Sequence, residues 1–459
     1  MPPGSALFLQ LRVQAAPYHH PSCVLFRTCN TGPAGVVSGA MLLRFRLATN
    51  SMAHNRLVAP AGTPVDPREL LNALRCAALS QYNPTLLEQT MSPLVGDGRQ
   101  FYFNTGRSAL AVMGRALHRY LAQSGKNDLQ SEVILPGYTC YSVPASLLRA
   151  GLRLRVCDVD PATLDYCPQA LERLDTSRAF AIVSSNLYGL PNDLPALTAF
   201  AKERSLLVID DAAQSLGARI GGGPSGSFGA AGLFSFDKGK VVTSIQGGVL
   251  VVRDPTLEKL LSEEYEKTRR PHRLQVGLDL AKFIVYALML PPNRYWLTQQ
   301  LPFLGLGITR YETDFPITRY SARLSGLVLT LLKKLPALQQ ARCENARRWT
   351  LTLSDTELTP LQTPLSAKPA WTRYPVLAKD AERRDRIISQ LLDIGIGASR
   401  SYPNSLVDVP ELQSALSDSA DTPGAREVSE RLLTLPTHPY LQCQDLDRAR
   451  EVLAWQSRR

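Results

Sequence analysis

Three short stretches of this chain combine residue types that carry reactive chemistry. In V-I-D-D-A-A-Q-S, Val208 to Ser215, an apolar run ends in two adjacent carboxylates followed by small residues. Successive side chains of a strand point to opposite sides, so one of Asp210 and Asp211 faces a ligand while the other caps or pairs locally. A carboxylate taken out of water needs a cationic partner, because an isolated buried charge is costly. A protonated ring nitrogen would serve. In L-F-S-F-D-K-G-K, Leu233 to Lys240, a strand runs into two lysines, Lys238 and Lys240. A lysine that sheds its proton in a desolvating or cationic setting becomes a nucleophile toward aldehydes. Taken alone, either would be an ordinary surface residue. The third stretch, N-T-G-R-S-A-L from Asn104 to Leu110, is a glycine turn with a hydroxyl residue opening a helix. A helix N-terminus of this kind binds phosphate; a plain N-cap by Ser108 is the alternative reading.

The elements that must position these residues alternate in type. Short apolar runs at Glu132 to Leu135, Leu152 to Asp158, Phe180 to Ser184, Leu206 to Asp210 and Val249 to Val252 read as strands. Amphipathic helices begin near Ser108 and Val143, and a third runs from Asp193 to Lys202. Strand and helix at this spacing imply an α/β fold with a largely parallel, doubly covered sheet, whose ligands sit beyond the carboxyl ends of the strands. Residues 255 to 345 break the rhythm. They are helical and strongly apolar from Ala281 to Leu290, A-K-F-I-V-Y-A-L-M-L, until Pro291 and Pro292 stop the run. This run is too short to cross a bilayer, and a buried or interface helix is favoured over an interfacial membrane contact. The stretch from Arg342 to Trp349 reads as a helix leading into a smaller domain. That domain holds a strand at Tyr374 to Leu377, a helix from Ala381 to Leu392, and G-I-G-A-S-R-S-Y-P from Gly395 to Pro403. The expected organisation is an N-terminal extension over 1–65, disordered or non-native, a large domain over 66–345 with an apolar helical insertion at about 274–310, and a small C-terminal domain over 346–459.

Composition narrows the function classes. With 459 residues, 44% hydrophobic and 20% charged, the chain is neither fibrous nor disordered and can bury a large core. Its net charge is +11, but the first acidic residue is Asp66, and five arginines (Arg12, Arg27, Arg44, Arg46, Arg56) precede it. The remaining excess is mild and contains no Lys/Arg run, which argues against nucleic acid and leaves small polyanionic molecules as partners. Eight cysteines contain no C-x-x-C pair, and six histidines no H-E-x-x-H, so the sequence offers neither a metal site nor a disulfide framework. A reducing, cytoplasmic setting fits. The arginine-bearing, acid-free start has the composition of a transit peptide or of untranslated upstream sequence, and Met41 and Met52 are credible starts.

A phosphate cradle, an acid for a ring nitrogen and a lysine for an aldehyde are the three handles of pyridoxal 5′-phosphate. From about Arg99 to the C-terminus the chain resembles the DegT/DnrJ/StrS family of pyridoxal-phosphate sugar aminotransferases. Its motifs recur in order: L-P-G-Y-T-C (Leu135 to Cys140), D-V-D-P-A-T-L (Asp158 to Leu164), N-L-Y-G-L-P-N-D (Asn186 to Asp193), D-D-A-A-Q-S, G-S-F-G-A-A-G-L-F-S-F-x-x-x-K ending at Lys240, and L-L-T-L-P-T-H-P (Leu432 to Pro439). The resemblance implies the aspartate-aminotransferase fold, fold type I: a three-layer α/β/α large domain with a mostly parallel mixed sheet, and a smaller α+β C-terminal domain. It selects Lys240 over Lys238 as the Schiff-base lysine and proton shuttle, and Asp211 as partner of the pyridine nitrogen. Gln214 falls beside the ring oxygen, Ser235 on the phosphate, and Gly106, Arg107 and Ser108 on the other phosphate loop.

Departures from the family pattern fall on the substrate side. Cys140 stands where an aromatic stacks on the ring, leaving Tyr138 or Tyr141 to serve. Arg107 replaces a threonine, Asn186 a histidine, and Ser401 the histidine before Tyr402. Arg319 or Tyr320 stands in for the segment that reaches a partner subunit's cofactor. Relatives that replace the lysine catalyse dehydration, so Lys240 implies transamination. The expected activity is amino transfer from an amino acid, L-glutamate, to a keto-sugar, nucleotide-linked, in glycan or antibiotic-sugar biosynthesis by a homodimer. The alternatives are a pyridoxal-phosphate enzyme with a non-nucleotide substrate and a non-catalytic regulatory or membrane-associated protein of the same fold.

Overall fold

The computed structural model describes residues 56–78, 84–123, 131–300, 311–416 and 421–456. Met41, Met52 and the rest of the expected extension up to residue 55 lie outside them. The strands are β1 (Arg99–Phe103), β2 (Glu132–Pro136), β3 (Arg153–Cys157), β4 (Ala179–Ser185), β5 (Leu207–Asp211), the short pair β6 (Arg219–Ile220) and β7 (Gly223–Pro224), β8 (Ala231–Ser235), β9 (Gly248–Val252), β10 (Thr359–Pro360), β11 (Tyr374–Leu377) and β12 (Leu432–Leu435). The helices of the first part are α1 (Pro67–Ala78), α2 (Pro84–Val95), α3 (Gly106–Gln123), α4 (Ser142–Arg149), α5 (Pro168–Arg173), α6 (Leu194–Glu203) and α7 (Pro255–Lys267). They are followed by α8 (Arg273–Met289), α9 (Pro292–Tyr295), α10 (Ser325–Leu332), α11 (Leu335–Thr352), α12 (Ala381–Asp393), α13 (Pro423–Arg431) and α14 (Cys443–Gln456).

Seven strands form one sheet in the order β1-β9-β8-β5-β4-β2-β3. From β8 to β3 every neighbouring pair is parallel, and β9 runs antiparallel to both β8 and β1. The strands expected from the apolar runs are found within a residue or two. Alternation along each strand divides the side chains between two faces. Phe101, Phe103, Leu135, Val183, Ile209, Leu233 and Leu250 bury one face together with Leu110 and Leu117 of α3 and Leu257 and Leu261 of α7. The opposite face is covered in two patches. Phe234, Val249 and Val251 pack with Leu87 and Met91 of α2, Phe283 of α8 and Leu327 and Leu331 of α10. Ile134, Ile182 and Val208 pack with Leu197 and Ala201 of α6. Continuous apolar runs are what strands buried on both faces require.

Local sequence starts several of these helices. Asp193, Asp254 and Asp380 accept from backbone amides three residues on, at Ala196, Leu257 and Arg383, and so cap α6, α7 and α12. The short strands β10, β11 and β12 form a separate antiparallel sheet. Val376, Leu433 and Leu435 pack there against Trp349 of α11, Ile387 and Leu391 of α12, and Leu446 and Leu453 of α14. The helix read at Arg342 to Trp349 is the middle of α11.

The stretch from Arg56 to Val65, assigned by composition to an unstructured extension, is part of the fold. Val58 is fully buried and bridges Ile396; its N–H donates to the Gly395 carbonyl (2.9 Å), and its own carbonyl accepts from the Gly397 N–H (2.8 Å). The buried Arg342 donates to the Gly62 carbonyl at 2.7 Å, and His438 Nε2 lies 2.8 Å from the Ala59 carbonyl. A lack of acids marked this stretch as foreign, whereas its backbone bonds and small apolar side chains build it in.

Candidate active site

The parallel strands end at one edge of the sheet, and a cavity of about 670 Å³ opens there. Gly106, Arg107, Cys140, Asp211, Gln214, Ser235 and Lys240 all line it, brought together from the ends of β1, β2, β5 and β8 and the loops that follow them. Lys238, the competing lysine, lines it as well.

Asp210 and Asp211 divide as strand alternation requires. Asp210 is fully buried and turned away, with Oδ1 accepting from Asn186 Nδ2 (2.7 Å) and Oδ2 from the Gly226 (2.6 Å) and Phe228 (3.2 Å) amides. Asp211 faces the cavity, and its Oδ1 accepts from the Ala213 N–H at 2.9 Å. Burial pushes the Asp211 carboxyl up to about 6, against the pull of that amide and of the Lys240 ammonium. A neighbouring cation stabilises the ionised form of a carboxyl buried in this way.

Lys240 follows β8 through a turn in which its N–H donates to the Asp237 carbonyl at 3.0 Å. The loop is anchored from an unexpected side. The Thr63 hydroxyl lies 2.7 Å from the Lys240 carbonyl and 2.8 Å from that of Val241, and Thr63 is fully buried. No chemical motif surrounds Thr63 in the sequence, and its proximity arises from long-range packing.

The third stretch forms the N-terminus of α3. Thr105, not Ser108, caps it: Thr105 Oγ1 accepts from the Ser108 N–H at 3.0 Å. Ser108 is fully buried, its hydroxyl 2.8 Å from Thr105 Oγ1 and donating to the Pro316 carbonyl at 3.0 Å. Ser108 is not among the cavity-lining residues, contrary to its expected place on the phosphate loop; its hydroxyl is spent on Thr105 and Pro316, which line the cavity themselves. Gly106 does face the cavity, and a Cβ there would sit 3.3 Å from Ser235 Cβ and 3.5 Å from its Oγ. The missing side chain leaves a cradle between the α3 N-terminus and the Ser235 hydroxyl, whose own contacts to Gly247 and Asp237 are long, 3.4 Å each. A phosphate group fits that donor set. Arg107 adds a guanidinium at the rim, partly offset by Glu312 at 3.1 Å.

Of the two tyrosines left open, Tyr141 lines the cavity and Tyr138 does not. Tyr138 is buried behind it, with its hydroxyl 3.3 Å from that of Tyr188 and its ring edge-on to Tyr402. The aromatic lining comes instead from Tyr141, Tyr188, Phe315 and Tyr402. Burial raises the phenols, Tyr141 and Tyr188 to about 12, so they stay neutral near pH 7. Gln214 is held in place by both of its amide atoms: Oε1 accepts from the Tyr188 N–H (3.2 Å), and Nε2 donates to the Tyr402 hydroxyl (2.8 Å). Tyr188 and Ser401 adopt left-handed backbone, φ +59 and +65, at the cavity wall. Asn186, expected on the substrate side, ties the two strand ends together through Asp210 Oδ1 and the Asp211 carbonyl. Arg319 is occupied by the carbonyls of Tyr265, Thr268 and Glu266 beyond the end of β1.

The model of the DegT/DnrJ/EryC1/StrS aminotransferase family matches residues 86–269 and 317–454. The dTDP-4-dehydro-2,3,6-trideoxy-D-glucose 4-aminotransferase of Saccharopolyspora spinosa is 27% identical over 351 residues, 74% of this chain and 80% of that protein. A UDP-N-acetyl-3-dehydro-alpha-D-glucosamine 3-aminotransferase of Acidithiobacillus ferrooxidans is 27% identical over 375 residues, 80% of this chain and 86% of its own. Among solved structures, the fold is similar to that of Helicobacter pylori PseC, an aminotransferase involved in the biosynthesis of pseudoaminic acid. That likeness has a TM-score of 0.69 at 21% identity and covers 88% of this chain and 99% of that one. With the ordered motifs, the mixed seven-stranded sheet and the cavity at its carboxyl edge, the match places this chain in the DegT/DnrJ/EryC1/StrS aminotransferase family.

Proposed function

We propose that the protein transfers an amino group from L-glutamate to the carbonyl of a nucleotide-linked keto-sugar, using pyridoxal 5′-phosphate, in glycan or antibiotic-sugar biosynthesis. The observation that carries this reading is that Lys240 and Asp211 line one cavity, with the lysine's charge working against the burial that raises the carboxyl. The relatives named for dTDP- and UDP-linked sugars support the acceptor class. A homodimer in a reducing compartment completes the reading, and the six cysteines among the described residues are all free thiols.

When bound, the cofactor would supply an electron sink for removal of the donor's α-proton. Asp211 supports this by holding a proton on the ring nitrogen as an ion pair, which its burial makes worthwhile. The α3 amides from Gly106, with the Ser235 hydroxyl and the Arg107 guanidinium, would hold the phosphate. Lys240, at the cavity, is the group that would accept the proton from the donor's α-carbon at Nζ as general base and give it back to the cofactor side as general acid. Its presence at the cavity supports transamination over the dehydration named for other relatives, such as the GDP-4-keto-6-deoxy-D-mannose 3-dehydratase of Yersinia pseudotuberculosis.

The test is to add L-glutamate to the cofactor-loaded protein and follow the cofactor's visible band together with 2-oxoglutarate. The band should bleach as one equivalent of 2-oxoglutarate appears, and a dTDP- or UDP-linked keto-sugar should restore it. A band indifferent to L-glutamate would contradict the proposal.

A further inference from the structure

The segment that the family match passes over, 270–316, contains a helix with no part in the cavity. Helix α8 is apolar on two opposite faces. Its inner face buries Val276, Phe283 and Ala287 in the core beneath the sheet. Its outer face presents Leu274, Leu278, Ala281, Val285 and Leu288 to solvent, at spacings of four, three, four and three residues. At about 100° per residue these five fall within an arc of roughly 80°, one continuous stripe. Leu274 is 68% exposed and Val285 59%. With Leu297 just beyond the bend after α8, this segment holds five of the ten exposed large apolar side chains among the described residues. A globular protein rarely leaves such a stripe uncovered.

The charges around the stripe are of one sign. Arg270, Arg273, Lys282 and Arg294 are exposed, with Arg273 and Lys282 on opposite flanks of the helix. Among the described residues, Lys282 meets a carboxylate, that of the buried Asp279 at 3.3 Å, and the three arginines form no ion pair. Asp279 is the one acidic residue of α8, and it is buried. We propose that this outer face docks on an anionic lipid surface, with the leucines and Val285 in the acyl boundary and the cations among the headgroups. A second copy of this chain is disfavoured as occupant, because an isologous contact would bring the same unpaired cations together. Trp296, half-buried at the bend, is a residue type that settles at headgroup level. The helix lies on the surface rather than crossing it: 17 residues span about 25 Å, and the inner face is already committed to the core.

The experiment is co-sedimentation of the cofactor-loaded protein with vesicles of phosphatidylcholine alone and of phosphatidylcholine containing about 30% phosphatidylglycerol. It compares the wild type with Leu278→Glu/Val285→Glu. Both positions are exposed, and retention of the cofactor's visible band reports that the variant is folded. The expected result is binding to the phosphatidylglycerol vesicles, weakened by salt, and at least about tenfold weaker both for phosphatidylcholine alone and for the variant. Wild type that stays in the supernatant with both vesicles overturns the proposal. So does a variant that binds as the wild type does, or binding indifferent to phosphatidylglycerol. Sedimentation equilibrium provides the remaining arm: if the wild type ignores vesicles and the double variant halves its mass, the face joins two copies and the lipid proposal fails.

Discussion

Asp211 and Lys240 show how a reactive pair can be read from strand period and composition and still acquire its properties only in the fold. Adjacent carboxylates on a strand must part, and they do: Asp210 is spent on three donors, and Asp211 is left for the cavity. The folded protein raises Asp211 to about 6 from an ordinary 3.8, mainly by burial. Its protonated form is therefore favoured by folding. The associated stability is full below about pH 4 and lost as pH rises through 6, a difference of about 2–3 kcal/mol. Asp211→Asn should accordingly make the cofactor-free protein more stable than wild type at pH 7.5 by roughly that amount in urea titrations, with the gap closing as pH approaches 4. The same substitution should cost a hundredfold or more in turnover, to order of magnitude, because the ring proton loses its counter-charge. Ser108 and Tyr138 were misplaced by the motif. Residue type and spacing do not reveal which way a side chain turns at a helix start or behind a second aromatic.

The reactive groups depend on element ends whose geometry rests on residues without chemistry of their own. At the start of α3 the missing Gly106 side chain forms the cradle, since a Cβ would press on Ser235. Gly106→Ala should leave thermal stability within about 1 kcal/mol, alanine being the better helix former. It should nevertheless weaken pyridoxal-phosphate affinity about tenfold in fluorescence titration. Thr63 does the corresponding work under the lysine loop. Thr63→Val removes the buried hydroxyl from two carbonyls, which should destabilise by about 1–3 kcal/mol. In single-turnover kinetics the proton-transfer step should slow about tenfold while the cofactor stays bound. The strands and the helix starts at α3, α4 and α6 were legible because period and turn residues are local signals. Thr63 was not, because its contact spans 177 residues and leaves no local trace.

Across the whole molecule, two layers of helices on a mixed sheet and a separate small sheet agree with the alternation of elements along the chain. The stretch from Arg56 to Val65 joins them. It reaches the small-sheet side through Val58, Ala59 and Gly62 and the lysine loop through Thr63. Arg342, fully buried, serves the carbonyls of Gly62 and Thr372 and the Thr437 hydroxyl. Arg342→Met should cost about 3–5 kcal/mol in denaturant unfolding, because it leaves two buried carbonyls without donors; a loss under about 1 kcal/mol would show that the junction is not needed. Composition missed this junction because a short acid-free stretch looks foreign whether or not its backbone is bonded. The proposed chemistry rests on Lys240, while Lys238 lines the same cavity. The most direct measurement is the visible spectrum of purified, cofactor-loaded Lys240→Ala and Lys238→Ala beside wild type, before and after L-glutamate. Lys240 as the Schiff-base lysine predicts a band that glutamate bleaches in wild type and in Lys238→Ala, and that is absent in Lys240→Ala. A wild-type band retained in Lys240→Ala and lost in Lys238→Ala would contradict it.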